Sequence, residues 1–165
     1  MIKKKICMIG AFAVGKTSLV KRFVTSAFTE KYLTTVGVKI DKKTVFINGE
    51  EVDLILWDIH GEDEFQKVRT SYLRGASGYF LVVDGTRQST LETALMLNKR
   101  AVDAIGDVPF ICLINKSDRE NEWEFDESVL RTSSGREWMV MNTSAKNGQG
   151  VEKAFMILAE KMMEE

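Results

Sequence analysis

Apolar runs of strand length alternate along this chain with stretches whose apolar positions recur at helical spacing. KICMIG, GYFLVVD and PFICLIN are nearly unbroken apolar runs and predict strands buried on both faces. The segment GVKIDKKTVFINGEEVDLILWD has two Val/Ile/Phe-rich arms around Asn48-Gly49, and so predicts a hairpin. A last strand is expected in EWMVMN. Helices are expected from about Lys16 to Val24, Thr90 to Ala104, Asp126 to Ser133 and Val151 to Met163. In the second of these, Leu91, Ala94, Leu95, Ala101 and Val102 keep the helical spacing. Such alternation implies an α/β fold: a six-stranded, mostly parallel sheet with one antiparallel strand and helices on both faces. Ligands of these sheets bind outside the carboxyl ends of the strands.

Composition narrows the class. A chain of 165 residues suits one domain, spanning 1–165, and 44% hydrophobic with 28% charged residues is an ordinary globular balance. The net charge of −1 gives no general attraction to polyanions, so no nucleic-acid partner is expected. Lys3–Lys5 read as the solvated mouth of the first strand. Cys7 and Cys112 lie in apolar runs and read as inert core thiols, which suits a reducing cytoplasm. The chain has no signal peptide, no apolar run long enough to span a bilayer and no cysteine in its closing EKMMEE. No membrane anchor is therefore expected in it, and membrane association only through a partner or a missing tail.

GAFAVGKT, Gly10–Thr17, fits G-x-x-x-x-G-K-[ST] and lies between a predicted strand and a predicted helix. Backbone N–H groups of such a loop (Ala13, Val14, Gly15, Lys16, Thr17, Ser18) point at phosphates, aided by the positive helix end. Lys16 is expected to reach the β/γ-phosphates and Thr17 to ligate Mg²⁺. LILWDIHG ends a strand with Asp58-x-x-Gly61. The carboxylate can orient a metal-bound water, and the glycine N–H can approach a γ-phosphate. NKSD, Asn115–Asp118, follows another strand. Guanine offers N1–H and N2–H₂ donors, which the acceptor-only Asp118 can take, whereas adenine N1 would meet a repelling carboxylate. Asn115 can bridge base and loop, and the Lys116 stem can cover the purine. TSAK, Thr143–Lys146, places Ser144, Ala145 and Lys146 at the same site, with the Ala145 N–H toward guanine O6.

Four motifs in this order, each at a strand end, resemble the Ras superfamily of small GTPases from end to end. KYLTTVGVKI, WDIHGEDEF and SYLRGA are most similar to the Rab branch. The resemblance implies a P-loop G domain that binds GTP/GDP and Mg²⁺ and hydrolyses GTP to GDP. It further implies that Thr35 ligates Mg²⁺ and senses the γ-phosphate, that Phe28 lies against guanine, and that Asp58 acts on the metal through water. Gly61 would donate to the γ-phosphate. Segments 26–40 and 59–76 would signal nucleotide state to effectors, an exchange factor and a GTPase-activating protein.

Four positions depart from the family. Glu62 occupies the place of a glutamine expected to position the attacking water. A glutamate accepts but cannot donate, and brings a negative charge toward the γ-phosphate. Lys16, Thr35, Gly61 and Glu62 are the expected catalytic set, with slow intrinsic hydrolysis. Phe12 stands where relatives carry a small residue. It either folds away against the switches or narrows access to the γ-phosphate. Ile59 and His60 replace a Thr-Ala pair, and the three are expected to be neighbours. His60, the only histidine, reads as an exposed or packed switch residue that could add pH sensitivity. Trp57 reads as a sheet aromatic or part of a partner-binding patch, and Trp123 and Trp138 read as packing. Two rival functions remain: a GTP-loaded scaffold that barely hydrolyses, and a P-loop kinase or ATPase, against which Asn115–Asp118 argues.

Overall fold

The computed structural model describes residues 1–24, 31–33, 38–63, 67–135 and 138–164. Its strands are β1 (Ile2–Gly10), β2 (Lys31–Leu33), β3 (Val38–Ile47), β4 (Glu50–Ile59), β5 (Gly78–Asp84), β6 (Phe110–Asn115) and β7 (Val140–Asn142). Its α-helices are α1 (Lys16–Phe23), α2 (Ser89–Ile105), α3 (Glu127–Ser134) and α4 (Val151–Met163). One sheet holds all seven strands in the order β2-β3-β4-β1-β5-β6-β7.

The six predicted strands are present, and only β3 runs against the others. The additional three-residue β2 pairs antiparallel to β3 at the sheet edge. The hairpin turns where predicted: Asn48 (φ 51°) and Gly49 (φ 81°) are both left-handed, the geometry that suits a two-residue turn to strand twist. β1 begins earlier than its apolar run because Lys3–Lys5 pair with Asp53–Ile55 of β4. These lysines are therefore strand residues, and Lys5 Nζ sits 3.5 Å from the centre of the Trp57 ring and donates to Arg74 O at 2.8 Å. β7 is shorter than its predicted run.

Alternation along the buried strands divides the core. Ile6, Met8, Phe80, Val82, Ile111 and Leu113 face α1 and α4. Cys7, Ile9, Leu81, Val83, Cys112 and Ile114 face α2 and α3. On the first side, Phe155 of α4 stacks on Phe23 of α1 at 4.1 Å and meets Phe80 edge-on at 4.7 Å. Both cysteines are fully buried, and burial pushes the Cys7 thiol up to about 12 and Cys112 higher still, so neither is a nucleophile. Among the described residues no helix is long and apolar enough to cross a membrane.

After β1 the chain forms the β3–β4 hairpin on one side, then crosses to β5, β6 and β7 on the other. The carboxyl end of β1 is thus a topological switch point, where the crossover connections diverge and leave a crevice.

Candidate nucleotide site

The loop Ala11–Gly15 occupies that crevice. Ala13 is left-handed (φ 62°), as is Gly15 (φ 107°), the residue just before α1. A side chain at Gly15 would also overlap the Asn115 amide, so the position demands glycine twice over. Lys16 folds back beneath the loop, where its Nζ donates to Ala11 O at 3.1 Å. Burial pushes its ammonium down to about 8, with Asp58 opposing the shift and Arg87 adding to it. Thr17 Oγ1 donates to Asp58 Oδ2 at 2.5 Å, which joins the first turn of α1 to the end of β4. Gly61 lies so close to the loop that a Cβ there would come within 2.5 Å of Phe12 Cα.

A cleft of about 430 Å³ opens above these groups, lined by Lys16, Thr17, Asp58, Gly61 and the backbone of Ala13 and Gly15. Phe12, Ile59 and His60 line it together, so the three departures from the family are one neighbourhood. Phe12 is 58% exposed and stands at the lip rather than packing into the core.

A second cavity of about 380 Å³ lies on the other side of Gly15, lined by Ser18, Asn115, Lys116, Asp118, Ala145 and Lys146 among others. Asn115 is its hub: Nδ2 donates to Val14 O at 2.9 Å, and Oδ1 accepts from Thr143 Oγ1 at 3.1 Å and Ala145 N at 3.3 Å. Buried Ser144 donates through Oγ to Asp118 Oδ1 at 2.7 Å and so orients that exposed carboxylate. The Ala145 N–H, expected at guanine O6, is here turned partly to Asn115. From α1, Arg22 Nε donates to Ala145 O at 2.9 Å and Nη2 to Lys146 O, fixing the loop from below.

Among the described residues, Lys16, Thr17, Asp58 and Gly61 line the first cavity and Asn115, Lys116 and Asp118 the second, whereas Val14 and Ser144 are buried and line neither. Glu62 does not line the cleft. Its backbone joins the loop, with N–H donating to Gly10 O and its carbonyl accepting from Phe12 N, each at 3.0 Å. Its carboxylate, only 4% exposed, turns the other way. Oε1 accepts from Val68 N at 2.6 Å and Arg100 Nη1 at 3.0 Å, and Oε2 lies 3.4 Å from Lys67 Nζ. Two cations and an amide make this pocket a far better place for a carboxylate than an anionic phosphate site. Thr35 and Phe28 lie outside the described residues.

Sequence reading missed Asp84, Arg87 and Arg100. Asp84 ends β5 at the level of the other motifs, fully buried, and pairs with Lys116 Nζ at 2.7 Å and Arg87 Nε at 3.1 Å. Arg87 Nη2 in turn donates to Phe12 O at 2.8 Å. An acid closing the apolar run GYFLVVD was the available signal, since a charge there needs a partner. Arg100 sits on α2, 38 residues from Glu62, where no local pattern betrays the pairing.

Comparison with known proteins agrees with this geometry. The profile described as the Ras family matches residues 5–164. Ras-related protein Rab-10 of Diplobatis ommata is 36% identical over 167 residues, which cover 97% of this chain and 81% of that protein. Ras-related protein SEC4 of Saccharomyces cerevisiae is 35% identical over 161 residues, covering 97% of this chain and 75% of that one. The P-loop after β1, the carboxylate at the end of β4, the Asn-Lys-x-Asp turn after β6 and these likenesses agree: the chain belongs to the Ras family, as a Rab-like small GTPase with the P-loop G-domain fold.

Proposed function

We propose that this protein is a guanine-nucleotide switch that binds GTP and GDP with Mg²⁺ and hydrolyses GTP slowly on its own. The observation that carries the reading is the pair of cavities that meet at Gly15. One offers Lys16 and loop amides to a polyphosphate, the other an oriented carboxylate to a base. A nucleoside triphosphate laid across Gly15 uses both. Asp118 favours guanine, because it accepts from N1–H and N2–H₂ and repels the acceptor N1 of adenine.

Mg²⁺ fits the donors present. Thr17 Oγ1 and Asp58 Oδ2 are hard oxygens side by side in the phosphate cleft. Among the described residues no group of three or more His, Cys, Asp or Glu forms a metal cage. Mg²⁺ is usually held by one or two protein oxygens together with substrate phosphates and water. When bound, Mg²⁺ neutralises charge on the β- and γ-phosphates during transfer. Lys16 adds a fixed positive charge, and the loop amides and Gly61 N–H hold the γ-phosphate in line for attack by water. Thr35 and Gly61 are proposed to let go once that phosphate leaves, which releases segments 26–40 and 59–76 and changes the surface met by effectors, exchange factor and activating protein. Phe28, Lys116 and Lys146 are proposed to flank the base.

Slow hydrolysis is supported by Glu62, whose carboxylate is held by Arg100 and Lys67 away from any water in the cleft. The same observation favours a second reading, a GTP-loaded scaffold that scarcely turns over. The deciding experiment identifies the nucleotide carried by the purified protein and measures single-turnover hydrolysis with Mg²⁺. Bound GDP with slow but measurable turnover supports the switch. Bound GTP that persists over hours supports the scaffold. Equal competition by ATP and GTP overturns both.

A further inference from the structure

Two residues outside the family motifs, Trp123 and Gly85, converge on the backbone of Lys116. Lys116 is one of only three non-glycine residues at positive φ among the described residues (φ 70°, ψ 41°), a conformation that costs a side-chain-bearing residue free energy unless something holds it. Trp123 supplies the hold. Its Nε1–H donates to Lys116 O at 2.9 Å, and its half-buried ring lies flush against Gly85, so that any Cβ at position 85 would overlap the indole. The backbone on either side is tied into the same knot. Glu124 N donates to Gly85 O at 2.8 Å, and Gly85 N to Asn115 O at 3.3 Å.

We infer that Trp123, seated on Gly85, is a positioning residue that sets the Lys116–Asp118 turn and thereby sharpens discrimination for guanine. Asp118 reads the base through two donors whose geometry depends on the turn that carries it. Trp123 is not among the residues that line either cavity. It acts by fixing the carbonyl of Lys116, two residues before the reading carboxylate. The glycine is the enabling half of the pair, because a larger residue would lift the indole from the turn. The inference rests on the guanine reading proposed above and deepens it.

The test compares GDP with inosine diphosphate, which lacks only the 2-amino group that Asp118 would accept from. Binding of both is measured by competition against a fluorescent GDP analogue, for the parent, Trp123→Phe and Gly85→Ala, with circular dichroism to confirm folding. Phe keeps an aromatic ring, smaller than the indole, and removes the N–H; circular dichroism checks that the fold is retained. The parent is expected to favour GDP, and Trp123→Phe to lower the GDP-to-IDP preference by several-fold, up to about tenfold, the worth of one hydrogen bond. Gly85→Ala should lower it likewise. A general structural role would weaken both nucleotides equally and leave the ratio unchanged in both variants, which would overturn the inference. A parent that does not distinguish GDP from IDP or ADP would instead overturn the guanine reading on which it rests.

Discussion

Arg100 of α2 holds Glu62 at 3.0 Å, so the residue following the Asp58-x-x-Gly61 motif points into the protein and away from the phosphates. In Glu62→Gln the ion pair is lost and an amide, able to accept from water and donate to phosphate, is released toward the cleft. Single-turnover GTP hydrolysis is expected to rise roughly tenfold, a modest share of what a positioned group contributes. Arg100→Ala leaves the carboxylate with Lys67 and the Val68 amide, should not accelerate hydrolysis, and should cost about 1–2 kcal/mol of stability through the lost charge-assisted hydrogen bond. A Glu62→Gln protein no faster than the parent would remove position 62 from the account of slow turnover.

Phe12 lies at the lip of the phosphate cleft, largely in solvent. Because the loop amides are the groups proposed to hold phosphate, Phe12→Ala should leave GDP affinity within about twofold and stability within about 0.5 kcal/mol. What should change is access: intrinsic hydrolysis is expected to increase several-fold, and response to an activating arginine more. Loss of stability beyond that range would mean that the ring packs after all.

Asp118→Asn exchanges an acceptor pair for an acceptor and a donor. GTP affinity should fall by at least about a hundredfold, since a site built around hydrogen bonds strongly rejects a mismatched edge. Xanthosine triphosphate, which presents an acceptor where guanine has the 2-amino group, should gain. Competition binding with the two nucleotides reads both changes, and undiminished GTP binding would place the base elsewhere.

Asp84 carries a pH signature. Burial works against its charge, but the Lys116 ammonium, Thr86 and Arg87 outweigh burial and hold the carboxyl below the usual carboxylate range. The unfolded chain therefore takes up this proton first as pH falls. The stabilisation is complete above the unfolded value of about 3.9 and is lost as pH drops from there through the lower folded value. Asp84→Asn should cost about 2 kcal/mol at pH 7, and the gap to the parent should narrow below about pH 4 in urea melts. A gap that stays constant with pH would show that the carboxylate contributes no charge pairing.

The elements were legible wherever the pattern was local. Asn48-Gly49 announced its turn, the apolar runs their strands and Gly15-Lys16 the start of α1. Strand β2 was not legible, because three residues at a sheet edge exist only through pairing with β3. Lys3–Lys5 misled for a related reason: β1 is extended by its partner β4, not by its own hydropathy. At the site, the motifs located residues that line the two cavities, such as Lys16, Asp58 and Asp118. The groups whose partners are other side chains, such as Glu62 with Arg100 and Asp84 with Lys116, were hidden by separation along the chain.

Asn115 has one further consequence. Its single amide grips the phosphate loop through Val14 and the base loop through Thr143 and Ala145. In the proposed nucleotide complex the two halves of the ligand would therefore not be released independently. A partner prying at the phosphate side would also loosen the base side through this one amide.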